Sequence, residues 1–156
     1  MLTTLPPETG ALTSLGTLLV NKNKLTSIPV DVARLPLLTH INLQQNRLAT
    51  FPQSFTQLIQ LEDLNLADNQ LTAIPPQIET LTRLSILSIA NNPLVDLPVE
   101  MKNLQSLTKL ILSDANASWL TPECRQVLMD LNQRGVTIIS LKKARPLAYR
   151  VGMHPK

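Results

Sequence analysis

Residues 61–83 read LEDLNLADNQLTAIPPQIETLTR. Numbered from Leu61, the apolar residues fall at positions 1, 4, 6, 11, 14, 18 and 21 (Leu61, Leu64, Leu66, Leu71, Ile74, Ile78, Leu81), with Asn69 at position 9 and Pro75 at position 15. The 23 residues before them, 38–60, place apolar side chains at the same seven positions around Asn46 and Pro52. Residues 15–37 do so around Asn23 and Pro29, and residues 84–106 around Asn92 and Pro98. Four tandem copies of constant length define a repeat architecture before any element is assigned, because each copy is one coil whose apolar side is covered only by its neighbours.

Positions 4 and 6 alternate as one face of a strand does: Leu18 and Val20, Ile41 and Leu43, Leu64 and Leu66, Leu87 and Ile89. One short strand per coil at fixed spacing predicts a parallel, in-register sheet. The asparagines follow each strand, where the chain turns inward and buries backbone groups that no apolar side chain can satisfy. An amide both donates and accepts, so Asn23, Asn46, Asn69 and Asn92 are expected to form a ladder joining consecutive coils. The prolines fix φ and remove a donor, which fits an extended or 3₁₀ return limb outside the sheet.

The pattern LxxLxLxxNxLxxLPxxLxxLxx over residues 15–106 resembles leucine-rich repeat proteins. It is similar to the 23-residue, Pro-containing repeats of Ras-pathway scaffolds, plant intracellular Ras-group proteins and many bacterial proteins. The resemblance implies an α/β solenoid: a right-handed arc with a parallel concave sheet of about six strands, extended or 3₁₀ convex limbs and a C-terminal capping helix. It also implies a non-catalytic module that binds a protein partner, in a cytoplasmic signalling or scaffolding role.

Outward from the repeats, residues 1–14 align with the second half of a unit, with Leu2 at position 11, Leu5 at 14, Pro6 at 15 and Leu12 at 21. The chain therefore opens in mid-repeat, which leaves the edge of the first strand for more chain, a partner or a second copy to cover. In residues 107–135 the repeat decays, with Ala115 in the place of Asn. Thr121, Pro122 and Glu123 read as the start of a capping helix over 122–134 that ends at Gly135, with Cys124, Val127, Leu128 and Leu131 on one face. Val136, Ile139 and Leu141 restore the 1, 4, 6 spacing and predict a last strand over 136–141. The single domain is expected to cover 1–141.

The 156 residues include 31 leucines, four aromatic residues and one cysteine. Lone Cys124 excludes an intramolecular disulfide and zinc modules, and is expected as a small buried hydrophobe in a reducing compartment. No stretch matches a membrane-spanning helix or secretory signal. Residues 1–133 carry 8 Lys or Arg against 11 acids, net −3, and residues 134–156 carry 6 against none, net +6. The excess lies in a basic, aperiodic tail over 142–156, expected to be flexible, through which nucleic acid or an anionic membrane is an alternative partner.

Strand positions 3, 5 and 7 face the concave side. Position 3 runs Thr17, His40, Asp63, Ile86, Lys109, Ile138, and position 5 runs Leu19, Asn42, Asn65, Ser88, Ile111, Ser140. Position 7 runs Asn21, Gln44, Ala67, Ala90, Ser113, Lys142. The partner-binding residues expected from this reading are His40, Asn42, Asp63, Asn65, Ile86, Ser88 and Lys109, with Ile111 as an apolar anchor. Thr17, His40 and Asp63 imitate a nucleophile, base and orienter, and adjacent lanes predict a His40–Asp63 contact. An open surface whose strand amides are consumed in the sheet lacks an oxyanion hole, so no catalytic residue is assigned. No metal site or cofactor is assigned either, and Trp119 is expected to plug the end of the core. One further reading makes the chain the recognition portion of a larger enzyme, a kinase or ubiquitin ligase.

Overall fold

Alternating apolar residues in each repeat form a three-residue strand, and each Pro opens a single 3₁₀ turn on the opposite side of the coil. The computed structural model describes residues 1–113, 121–142 and 145–148. Strands β1 (Thr17–Leu19), β2 (His40–Asn42), β3 (Asp63–Asn65) and β4 (Ile86–Ser88) lie side by side with β5 (Lys109–Ser113). They pair in parallel with a constant offset of 23 residues, from Thr17 opposite His40 to Ser88 opposite Ile111. On the convex side, 3₁₀ turns span Pro7–Ala11, Val30–Arg34, Gln53–Gln57, Pro76–Thr80 and Val99–Asn103. The proline before each turn has φ between −73° and −63°, the value its ring imposes, and delivers an extended backbone into it.

Between sheet and limbs lies one continuous apolar core. Each coil contributes its seven leucine-type positions, and in the third coil Leu61, Leu64, Leu66, Leu71, Ile78 and Leu81 have no exposed surface. Burying one such side chain contributes roughly 1.5–3 kcal/mol, so a coil is held chiefly by what its neighbours cover. Phe51 and Phe55 replace two of the aliphatic residues of the second coil and meet edge to face, with centroids 6.0 Å apart. Gly10 lets the first limb approach the second closely, because a Cβ there would stand 2.4 Å from the carbonyl oxygen of Asp31.

The asparagines occupy the inner side of the turn after each strand. Asn69 Oδ1 accepts from Leu48 N (3.0 Å), while its Nδ2 donates to Leu43 O (3.0 Å) in the preceding coil and to Leu66 O (3.1 Å) and Ala67 O (3.2 Å) in its own. Asn46 and Asn92 repeat this pattern one coil away on either side. Asn23 ties in the half-repeat, accepting from Leu2 N at 2.8 Å. The residue before each of these asparagines adopts a left-handed conformation: Lys22, Gln45, Asp68 and Asn91 have φ of 57°, 57°, 56° and 54°.

After β5 the repeat gives way to helix α1 (Pro122–Gln133). Thr121 caps it, its Oγ1 accepting from Cys124 N at 3.1 Å. Cys124, Val127 and Leu131 are its buried face. Arg134 closes the joint by donating to Lys102 O and to Leu104 O (2.6 Å), two carbonyls at the end of the last convex limb. Gly135, at φ 88°, then turns the chain into β6 (Thr137–Lys142), the sixth parallel strand.

Two features of this end differ from the sequence expectation. First, β6 pairs Lys109 with Thr137, Leu110 with Ile138 and Leu112 with Ser140, one residue out from the expected register. Its concave residues are thus Thr137, Ile139 and Leu141 in place of Ile138, Ser140 and Lys142, because a slip of one residue exchanges the faces of a strand. Adjacent Ile138 and Ile139 make either register apolar by pattern, and the serine that falls inside, Ser140, is buried at 7% exposure. Second, Arg145–Ala148, placed by its composition in the aperiodic tail, forms β7, antiparallel to β6, so among the described residues the sheet has seven strands in sequence order. Trp119, Tyr149, His154 and most of the basic tail lie outside the described residues.

Candidate functional site: the concave face

Because position 3 of every coil is in register, Thr17, His40, Asp63, Ile86, Lys109 and Thr137 form one row across the sheet. A second row is Leu19, Asn42, Asn65, Ser88, Ile111 and Ile139. The eight residues expected to bind a partner all lie in these two rows. Their character changes along the solenoid: over β1–β3 the rows are polar apart from Leu19, which is 67% exposed, and from β4 onward isoleucine predominates around Lys109. Small residues occupy the row behind, with Ala67, Ala90 and Ser113 buried.

The first half holds an open depression of about 250 Å³ lined by Thr17, Leu19, His40, Ile41, Asn42, Asp63 and Asn65. Its side chains are held from below. Asn42 Oδ1 accepts from Gln44 N (3.0 Å) and Asn65 Oδ1 from Ala67 N (3.1 Å), so each amide is clamped by its own strand. Gln44 Nε2 donates to Asp68 Oδ2 (2.9 Å) and Asn91 Nδ2 to Asp68 Oδ1 (2.7 Å), so both oxygens of that carboxylate are engaged at the edge of the face.

The resemblance to a catalytic triad does not survive this geometry. Thr17, His40 and Asp63 do share a row, yet no hydrogen bond or ion pair joins His40 to Asp63 among the described residues. His40 Nδ1 instead lies 2.8 Å from Oγ1 of Thr39, whose hydroxyl reaches Gly16 O at 3.1 Å. Adjacent lanes do not suffice for contact, because the ring finds a partner on Thr39, the residue just before its strand. Among the described residues no group of three or more His, Cys, Asp or Glu side chains could hold a metal ion. Cys124 is distant from this face and has no exposed surface; burial, reinforced by the charge of Asp96, pushes its thiol up to about 11, so it is protonated and unreactive near neutral pH.

Sequence reasoning missed two features beside this face. The left-handed position before each ladder asparagine carries Lys22 and Gln45 in two coils, residue types that give no sign of a positive φ, although Asp68 and Asn91 in the other two are a weak one. The second is the file of exposed cations on those turns, Lys22, Lys24 and Arg47, which is visible only once the coils are stacked.

A parallel concave sheet, an asparagine ladder and Pro-started convex limbs define a leucine-rich repeat solenoid. The chain belongs to the leucine-rich repeat family: one family model for the leucine-rich repeat matches residues 13–71, and a second, for two copies of it, matches residues 59–101. No curated protein matches the chain significantly. Among solved structures, the chain is similar to a leucine-rich repeat protein of Leptospira interrogans, with 30% identity and a TM-score of 0.55 over 69% of this chain and 33% of that one. It is also similar to an internalin of Listeria monocytogenes, with 27% identity and a TM-score of 0.62 over 71% of this chain and 32% of that one. The leucine-rich repeat ectodomain of the receptor kinase SOBIR1 from Arabidopsis thaliana is 29% identical, with a TM-score of 0.61, over 69% of this chain and 60% of that one. The chain spans about a third of the length of the first two. Domains of this family are generally protein-interaction modules, and among the described residues no helix is long and apolar enough to cross a membrane.

Proposed function

We propose that the chain is a non-catalytic recognition module whose concave face binds a protein partner, in a scaffolding or signalling role. The observation that carries this reading is the two registered rows on β1–β6, with a polar depression at one end and an isoleucine-lined surface at the other. A partner meets side chains already fixed by the sheet, so little conformational entropy is lost on docking. His40, Asn42, Asp63 and Asn65 supply polar contacts, Ile86, Ser88 and Ile111 a drier one, and Lys109 a charge between them. Apolar side chains beside polar ones on one rigid surface are the mixture that protein interfaces use.

The test is the pair Asp63→Lys and Asn65→Lys, made together. Affinity for a partner captured with the intact protein is expected to fall by at least tenfold, while the far-UV spectrum and melting temperature stay close to those of the parent. Unchanged affinity would remove the concave face from the reading.

The similarity to a receptor-kinase ectodomain favours a second reading, in which this chain is the recognition portion of a larger enzyme. Identification of the complete reading frame decides between the two, and the same concave-face variant then tests the site in either setting.

A further inference from the structure

A charge that folding leaves partly buried is, over most of this chain, held by a partner within it. Asp31 pairs with Arg34, Asp68 has an amide on each oxygen, Glu79 accepts from Asn103, Asp96 from Leu97 N and Asp130 from Gln126. Three partly buried charges have no hydrogen-bond or ion-pair partner among the described residues: Asp63, Lys109 and, on the convex side, Glu100. The first two have opposite sign and share one row of the concave face.

Asp63 is in register with Ile86, and Ile86 with Lys109. The two charges therefore stand two strands apart, about 9.6 Å at about 4.8 Å per strand, with the partly buried Ile86 between them. The row reads negative, apolar, positive. Exposed Glu62, one residue before Asp63, adds to the negative end, and Ile111 and Ile139 in the second row widen the apolar stretch. The depression at the negative end is lined by Asp63 and by no Lys or Arg, so its charge favours a cation. Strands β3, β4 and β5 are each paired on both edges, which leaves side chains, and no backbone edge, for a partner to engage.

The spacing of the row selects the form of that partner. Side chains one turn apart on a helix succeed at about 5.4 Å, and same-face side chains of an extended strand at about 6.8 Å. Across two strand spacings the helix drifts from the row by about 1.2 Å and the extended chain by about 4 Å. We propose that the partner lays a helix across β3–β5, with a basic residue over Asp63, an apolar residue over Ile86 and an acidic residue over Lys109, at positions i, i+4 and i+7. The inference rests on the concave-face reading and specifies its partner chemistry.

The probe is a fluorescein-labelled, alanine-rich helical peptide with Arg, Leu and Glu at those three positions, titrated by anisotropy at low salt against the full chain. The comparator has Glu, Leu and Glu there. The parent is expected to bind the first peptide saturably and the second at least fivefold more weakly, the difference shrinking as salt screens it. D63K is expected to weaken the first about fivefold and tighten the second about fivefold, a gain that misfolding cannot produce. K109E is expected to weaken the first to a similar degree. The inference is overturned if neither peptide binds, if D63K leaves both affinities unchanged, or if the second peptide binds the parent as tightly as the first, which would put it on the basic residues from Arg134 onward. An identified protein partner lost on Asp63→Lys with Asn65→Lys, yet unmoved by K109E, would sink this inference alone. A partner indifferent to that double change would sink the concave-face reading beneath it.

Discussion

The four ladder asparagines show how much one residue type can decide. Asn69 makes four hydrogen bonds at 7% exposure, two of them to coil 38–60 and two to its own. Replacing it with leucine, its neighbour in size, leaves Leu48 N and several carbonyls buried without a partner, each at a cost of about 1–3 kcal/mol. Asn69→Leu is therefore expected to lose about 3–5 kcal/mol in urea unfolding, a large share of the 5–15 typical of a domain. A loss below about 1 kcal/mol would mean that the ladder only decorates the turn. The role of asparagine was legible because few residues can donate and accept at once in a buried turn. The strain one residue earlier was not, since nothing in a Gln betrays a φ of 57°. Gln45 is exposed, so Gln45→Gly removes a left-handed Cβ penalty and little else. Thermal melts should show it slightly more stable, by about 0.5–1 kcal/mol after the added unfolded-state entropy, and a fall in the midpoint would refute the account.

At the scale of elements, the helix and the last strand teach different lessons. Thr121, Pro122 and Gly135 announced both ends of α1 because capping chemistry is local. The register of β6, with Lys109 opposite Thr137, was hidden because two consecutive isoleucines erased the alternation that would have disclosed it. β7 was illegible for a related reason: Arg145–Ala148 has no strand pattern of its own, and only its antiparallel pairing with β6 identifies it. Cys124 joins α1 to the core and makes the joint sensitive to alkali. Burial raises its folded pKa to about 11, above the 9.0 of an ordinary thiol, so the neutral thiol is favoured by folding. Its contribution is complete below pH 9 and is lost as pH rises from 9 toward 11, at about 1.4 kcal/mol per pH unit. Cys124→Ala is expected to be less stable at pH 7, from the cavity it leaves, and to lose less over that alkaline interval than the parent. Parallel urea titrations at pH 8 and pH 10.5 check this, and equal slopes for the two proteins would contradict it.

For the whole molecule, the repeat made the architecture legible and the partner illegible for the same reason. Core positions recur because each coil must fit the next, so Leu61, Leu64 and Leu66 could be read from one unit and carried to all. The concave rows answer to a ligand outside the chain, so Thr17, His40, Asp63, Ile86 and Lys109 share a position and no chemistry. The same nearest-neighbour logic predicts unequal stability along the solenoid. Leu43, Leu66 and Leu87 have no exposed surface, whereas Leu2 and Leu12, which occupy core positions of the first half-coil, are 49% and 54% exposed. Their coil shares less apolar area with its neighbours and should open at a lower free energy than the rest. Native-state hydrogen exchange should therefore find Val20 N, donated to Asn42 O, and Lys24 N, donated to Leu2 O, exchanging well before Leu43 N and Leu66 N, donated to Asn65 O and Ser88 O. Gly10→Ala, which drives a Cβ into Asp31, should widen that gap by loosening the first limb while leaving the protection of Leu66 nearly unchanged. If all four amides exchange with one free energy and Gly10→Ala lowers them equally, the solenoid opens as one unit and coil-by-coil stability is the wrong description.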